Sequence, residues 1–371
     1  MINLIMQTTN RPRVPRRQAG YAALVLVAIL GLAAITLFVT SLNSTAISNE
    51  QNRKTTVALA LAKQALIARA ATDQSLPGSL PCPDLITNIP GTNVPNDGIA
   101  DLFAGPNCPS YIGRLPWRTL GLPDLRDANG DRLWYVLSPN FRDYAATVSI
   151  NNTTTSLITV SGLTPANNVA AIIFSPGTAL PGQARDSAAN QNIVSNYLDG
   201  VNAAGGPGYI SQAASANFND RLAIITVADL MTVVQKRVAS EISAALNSYF
   251  IAHSLLPTAA LSTDPTCGNG SGYANQCQSS GGLSGLIPRN PTPDPGWSGA
   301  SSILGPNPSN PWFDNNWRSN VSYSVASECT TTPACATGAI PFKLMMGTAS
   351  PTKVTLVFDA SPPLTAVLVA Q

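Results

Sequence analysis

Residues 21–39 read YAALVLVAILGLAAITLFV, and no charged side chain stands between Arg17 and Glu50. A helix needs about 20 consecutive apolar residues to cross the hydrocarbon core of a bilayer, and this run has that length. A cleaved secretory signal would carry a shorter apolar region, roughly 7–15 residues. The basic side chains Arg11, Arg13, Arg16 and Arg17 all precede the run, so the positive-inside bias predicts a cytoplasmic N-terminus. The expected topology is therefore single-pass, with everything after Leu42 extracytoplasmic. Helical character continues beyond Asn43 through residues 50–68, with no proline until Pro77. One helix from residue 21 to about residue 71 is expected, on the order of 75 Å at 1.5 Å per residue.

Composition places the rest of the chain. Of 371 residues only 11% are charged and 44% are hydrophobic, and 30 are proline. That balance suits a loop-rich exported protein with β-structure. The four leading arginines contribute +4 to a chain total of +2, which leaves −2 on the remainder. The basic residues form no cluster on a folded segment, which argues against a nucleic-acid partner.

Immediately before the apolar run, Arg16-Arg17-Gln18-Ala19-Gly20 is followed by Tyr21-Ala22-Ala23-Leu24-Val25. This junction resembles the class III signal of type IV pilins and type II secretion pseudopilins. The resemblance implies that a prepilin peptidase cuts between Gly20 and Tyr21 and that Tyr21 becomes the methylated N-terminus. It also implies other pilins or pseudopilins, and the inner membrane, as partners, and it makes the inner membrane the expected localisation. Arg16 and Arg17 form the basic leader that holds the site at the membrane surface. Major subunits of that family usually carry a glutamate at the fifth mature position, where this chain has Val25, so the resemblance points to a minor subunit such as the large one at the filament tip. Residues 122–139, with Pro123-Asp124, Gly130 and Tyr135-x-x-Ser138-Pro139, are similar to a pseudopilin loop leading into a strand. The implied function is a minor pilin- or pseudopilin-like structural subunit in, or at the tip of, a type IV pilus or type II secretion pseudopilus. The alternative is an uncleaved, membrane-anchored binding or adhesion protein, which would retain residues 1–20.

The order of features after residue 227 parallels that of residues 59–174. Leu230, Val234, Val238, Ile242, Leu246 and Phe250 recur every four residues and predict an amphipathic helix over 227–253. A proline-and-cysteine loop follows, as it does at 77–108, then an aromatic stretch ending in Tyr323 and a strand at 354–358. This predicts an internal duplication. The expected fold class is α+β: a long N-terminal transmembrane helix continuing into a pilin-like helix packed on a small antiparallel sheet, then a second similar helix-plus-sheet module. The corresponding segments are a leader at 1–20, a transmembrane helix at 21–42, a first module at 43–198, a linker and connecting strand at 199–226, and a second module at 227–371.

Six cysteines, Cys82, Cys108, Cys267, Cys277, Cys329 and Cys335, fall into three local pairs. In an exported chain these read as disulfides, and the low entropic cost of short loops favours pairing in sequence order; free buried thiols, other pairings and a metal site are the alternatives, metal the weakest because no C-x-x-C occurs and His253 is the single histidine. Asp127-x-Asn129-x-Asp131 alternates oxygen ligands as calcium loops do, but lacks a distal bidentate glutamate. Asn, Asp and Gly are also ordinary turn residues, so the turn reading is preferred and no cofactor is expected. No phosphate-binding glycine loop or H-E-x-x-H occurs, and the single histidine, His253, stands at a helix end where it favours the dipole. The chain reads as non-enzymatic.

Overall fold

A computed structural model describes residues 46–84, 96–102, 105–144, 149–269, 277–291, 297, 303–304, 312–331, 335, 342–349, 352–358 and 363–369. The chain divides into two compact units, Met1–Lys54 and Thr55–Gln371. In the first, the described residues are helical and Glu50 pairs with Arg53 at 2.8 Å.

Helix α1 covers residues 46–72. Within the second unit it buries Thr55, Ala58, Leu59, Ala62, Leu66 and Ala70, the three-and-four spacing of one helical face. Pro77 and Gly78, the latter at φ 101°, prevent its continuation. Helix α2, Val227–His253, starts from a capping box in which the Thr226 side chain accepts from the Asp229 amide and the Asp229 side chain accepts from the Thr226 amide. It buries Leu230, Val234, Val238, Ile242, Leu246 and Phe250 and ends at Ser254, which takes the left-handed conformation. Lys63 of α1 bonds the Ile224 carbonyl at 2.7 Å and the Asp229 carboxylate at 3.0 Å, which joins α1 to the start of α2.

The strands are β1 (Ile112–Arg114), β2 (Trp134–Leu137), β3 (Thr159–Gly162), β4 (Val169–Ser175), β5 (Gly208–Ser211), β6 (Arg221–Thr226), β7 (Ala259–Ala260), β8 (Ser279–Gly282), β9 (Ser284–Leu286), β10 (Val321–Val325), β11 (Lys343–Met346), β12 (Thr352–Phe358) and β13 (Leu364–Val369). Among the described residues they form a four-stranded sheet ordered β1-β2-β4-β6, a seven-stranded sheet ordered β11-β13-β12-β10-β9-β7-β8, and a parallel pair β3-β5.

This corrects the expected fold class. The described chain is sheet-rich and dominated by a seven-stranded antiparallel sheet, and it is not a long N-terminal helix leading into a pilin fold. Among the described residues no helix is long and apolar enough to cross a membrane. The physical reason is that α1 and α2 are amphipathic: each carries an apolar stripe toward a sheet and charges such as Lys63, Arg69, Lys236 and Glu241 elsewhere. The expected single-pass inner-membrane localisation is corrected by the same finding; the expected span, 21–42, lies outside the described residues.

Within the larger sheet, β9-β10-β12-β13 repeat the order and register of the smaller one. Gly113 faces Tyr135 as Gly285 faces Tyr323, and Tyr135 faces Ile173 as Tyr323 faces Leu356. The register shifts between Val169 and Ala171 in one sheet and between Thr352 and Val354 in the other. Even the tyrosine hydroxyls correspond: Tyr135 donates to the Pro81 carbonyl at 3.2 Å and Tyr323 to that of Pro257 at 2.8 Å. The two sheets differ in what covers them. Tyr135, Leu137 and Ile173 share one core with α2 and with Val321, Tyr323, Leu356 and Phe358. The opposite face of the smaller sheet, Trp134, Val136, Ile172 and Phe174, is closed by Ile158, Val160, Tyr197 and Tyr209. The corresponding face of β10 and β12, with Ser322, Ser324 and Thr355, is half-exposed. Hence β4 reads as an unbroken apolar run, whereas β10 and β12 alternate.

Candidate functional site

Gly20, Tyr21, Arg16, Arg17 and Val25 lie outside the described residues. The cysteines pair as Cys82–Cys108, Cys267–Cys277 and Cys329–Cys335, with Cα separations of 5.6, 4.7 and 4.5 Å. All six are buried.

Asp127, Asn129 and Asp131 occupy a tight turn. One carboxylate oxygen of Asp127 accepts from the amides of Asn129 and Asp131 at 2.9 and 3.0 Å, and the other from the Ser175 hydroxyl and the Gly177 amide. Asn129 accepts from the Thr178 hydroxyl, and Asp131 pairs with Arg185 at 2.6 Å. Among the described residues no group of three or more His, Cys, Asp or Glu side chains is placed to hold a metal ion. His253 lies in the last turn of α2 with its ring 4.3 Å from that of Tyr249.

The turn positions something else. Gly130, at φ 86°, closes it, and Arg126 and Arg132 come to stand opposite one another as an isolated antiparallel bridge. Like charges facing across strands repel. Asp124 resolves this by accepting from both: Arg126 reaches it at 2.7 Å and Arg132 at 2.9 Å. Burial raises the Asp124 carboxyl, but the hydrogen bonds from Arg132 and Arg126 outweigh that and hold it below the usual carboxylate range.

Arg114, from β1, completes the cluster. It is 4% exposed, with its guanidinium carbon 4.2 Å from the Trp134 ring centroid and 4.0 Å from that of Tyr197. Two of its nitrogens donate to the carbonyls of Arg132 and Gln191 at 3.0 and 2.7 Å, and Nε has no partner among the described residues. Burial pulls its pKa down to about 10, which leaves it charged at neutral pH. Arg114, Arg126 and Arg132 open onto a cavity of about 270 Å³, whose wall also includes Asn96, Gln191 and Tyr197, with Asp131 at its side. Counting the neighbouring Arg185, four guanidinium groups stand against the carboxylates of Asp124 and Asp131, an excess of two positive charges. A larger cleft of about 440 Å³ beside β1 and β2 has no charged residue in its lining.

A second arginine pair shares one carboxylate in the other sheet. Arg289 and Arg318 both donate to Asp314, and all three side chains are fully buried. Arg318 also donates to the carbonyls of Ile287 and Leu304 at 2.9 and 3.0 Å, so this cluster ties loops together inside the core. The pocket of the first cluster was not among the sites read from sequence. A signal was available: Gly113-Arg114-Leu115-Pro116 matches Gly285-Leu286-Ile287-Pro288, with arginine in place of leucine.

Comparison with known proteins returned no family model, no curated protein and no solved structure that matches the chain.

Proposed function

We propose that the chain is a minor pilin- or pseudopilin-like structural subunit, processed by prepilin peptidase between Gly20 and Tyr21 and built into, or at the tip of, a type IV pilus or type II secretion pseudopilus. The observation that carries this reading is the junction Arg16-Arg17-Gln18-Ala19-Gly20-Tyr21, a basic leader and a side-chain-free residue directly before an apolar run. Three disulfides support it, since such bridges form and persist where filament subunits are exposed, in oxidising compartments. The charged groups of the globular part also fit a structural role: Asp124, Asp127 and Asp314 are each spent on hydrogen bonds that fix turns and arginines. Replacing Gly20 by a bulky residue tests the processing step. Gly20→Leu, expressed with a prepilin peptidase, is expected to remain at full length while the parent chain shortens. Equal shortening of both would remove the basis of the reading.

A further inference from the structure

We infer that the cavity bordered by Arg114, Arg126 and Arg132 is a binding site for a phosphate group, free or carried as a monoester. The inference goes beyond subunit assembly and does not depend on it.

The backbone of β1 does not need an arginine at position 114. The register of β1 on β2 is that of β9 on β10, and the residue in the place of Arg114 is Leu286. A leucine therefore satisfies the backbone geometry, whereas a buried guanidinium costs desolvation unless it is paired. Here no carboxylate pairs with it directly. Its charge is met by two ring faces, two carbonyls and the polar end of Tyr197, an arrangement that holds the cation in place with no carboxylate bonded to it.

Several guanidinium groups also converge on the cavity. Arg126 and Arg132 are held against their mutual repulsion by a single carboxylate, Asp124, and Asp131 is taken up by Arg185. The excess of two positive charges at one small cavity matches a dianion. Guanidinium forks suit the paired oxygens of phosphate.

Two buried polar atoms at the cavity are left over. Among the described residues, Arg114 Nε is a buried donor and Asn96 Oδ1 a buried acceptor, both without partners and both from residues that line this cavity. Buried polar atoms are normally satisfied. A phosphate group supplies acceptor oxygens for Arg114 Nε, and inorganic phosphate as the hydrogen phosphate dianion also supplies a donor hydroxyl for Asn96 Oδ1, a role that the esterified group's neighbouring hydroxyls take in a sugar phosphate.

Isothermal titration of the purified full-length chain at constant ionic strength, first with inorganic phosphate and then with glucose 6-phosphate, tests this. Saturable binding is expected for at least one, with affinity reduced about tenfold or more in Arg114→Leu and in Arg126→Gln, since charge-assisted hydrogen bonds are each worth about 1.5–3 kcal/mol. Binding of both ligands identifies the free anion as sufficient; binding of the ester alone identifies a phosphorylated sugar or similar ester. Arg126 is about half exposed, at 47%, and lies outside the hydrophobic core, so its variant is expected to fold, as a thermal melt checks, and decides the matter even if Arg114→Leu unfolds. Absence of saturable binding by either ligand, or affinity unchanged in Arg126→Gln, would overturn the inference.

Discussion

Gln235 sits in the middle of α2, fully buried, and among the described residues neither of its amide atoms has a partner. A buried polar group left unpaired costs about 1–3 kcal/mol. Gln235→Met keeps the volume and removes the polar atoms, so the thermal midpoint of the variant should rise; a fall would show that the amide is satisfied in solution. Two other buried groups make stability depend on pH. Asp84 and Asp220 are both pushed up to about 7, in each case chiefly by burial. A folded-state value above the unfolded one, about 3.9, means that the native state binds the extra proton. Their contribution to stability is complete below about pH 4 and is lost as pH rises through about 7. Thermal melts should therefore show a falling midpoint from pH 5 to 7.5, and Asp220→Asn should flatten part of that slope. No sequence signal marks Gln235 or Asp220. Their burial is decided by tertiary packing and by ordinary polar partners that no spacing rule singles out, such as Asp199 and Asn202 for Asp220. The cysteine pairs, by contrast, were readable because cysteine is rare in the chain and the six fall into three groups of two along it.

Helix α2 was legible because its apolar residues recur every four positions, Pro257 stands just beyond its end, and the structure buries all six of them. Strand β4 carries a related signal: an unbroken apolar run of that length suits a strand covered on both faces. What was not legible is the extent of the second sheet. Strands β7, β8 and β9 are composed of alanine, serine, glycine and one leucine, with no periodicity, and are held by backbone pairing. The second layer over the first sheet was equally hidden, because β3 and β5 pair in parallel across a long sequence interval and β5 lies in a glycine-rich stretch that reads as linker. Loop clips should matter accordingly. Removing the Cys82–Cys108 bridge, which spans 26 residues, by a double serine substitution is expected to cost about 3–4 kcal/mol, read from denaturant unfolding. A loss under about 1 kcal/mol would mean that the loop is held by its hydrogen bonds, such as that of Asp84 to the Gly98 amide, and not by the bridge.

For the whole molecule, the sequence reading and the structure part company on architecture. Apolar length at 21–39 led to a single long helix as the organising element, while the described chain is organised by antiparallel sheets that share one core with α1 and α2. Hydrophobic periodicity reports local elements well. It says little about which strands assemble into one sheet, since that depends on pairings between distant residues. The functional proposal rests on residues 16–21, and the direct measurement is the intact mass and N-terminal sequence of the protein taken from its native source. The account predicts a chain that begins at a methylated Tyr21, with residues 1–20 absent. A chain that retains Arg16 and Arg17 would contradict it.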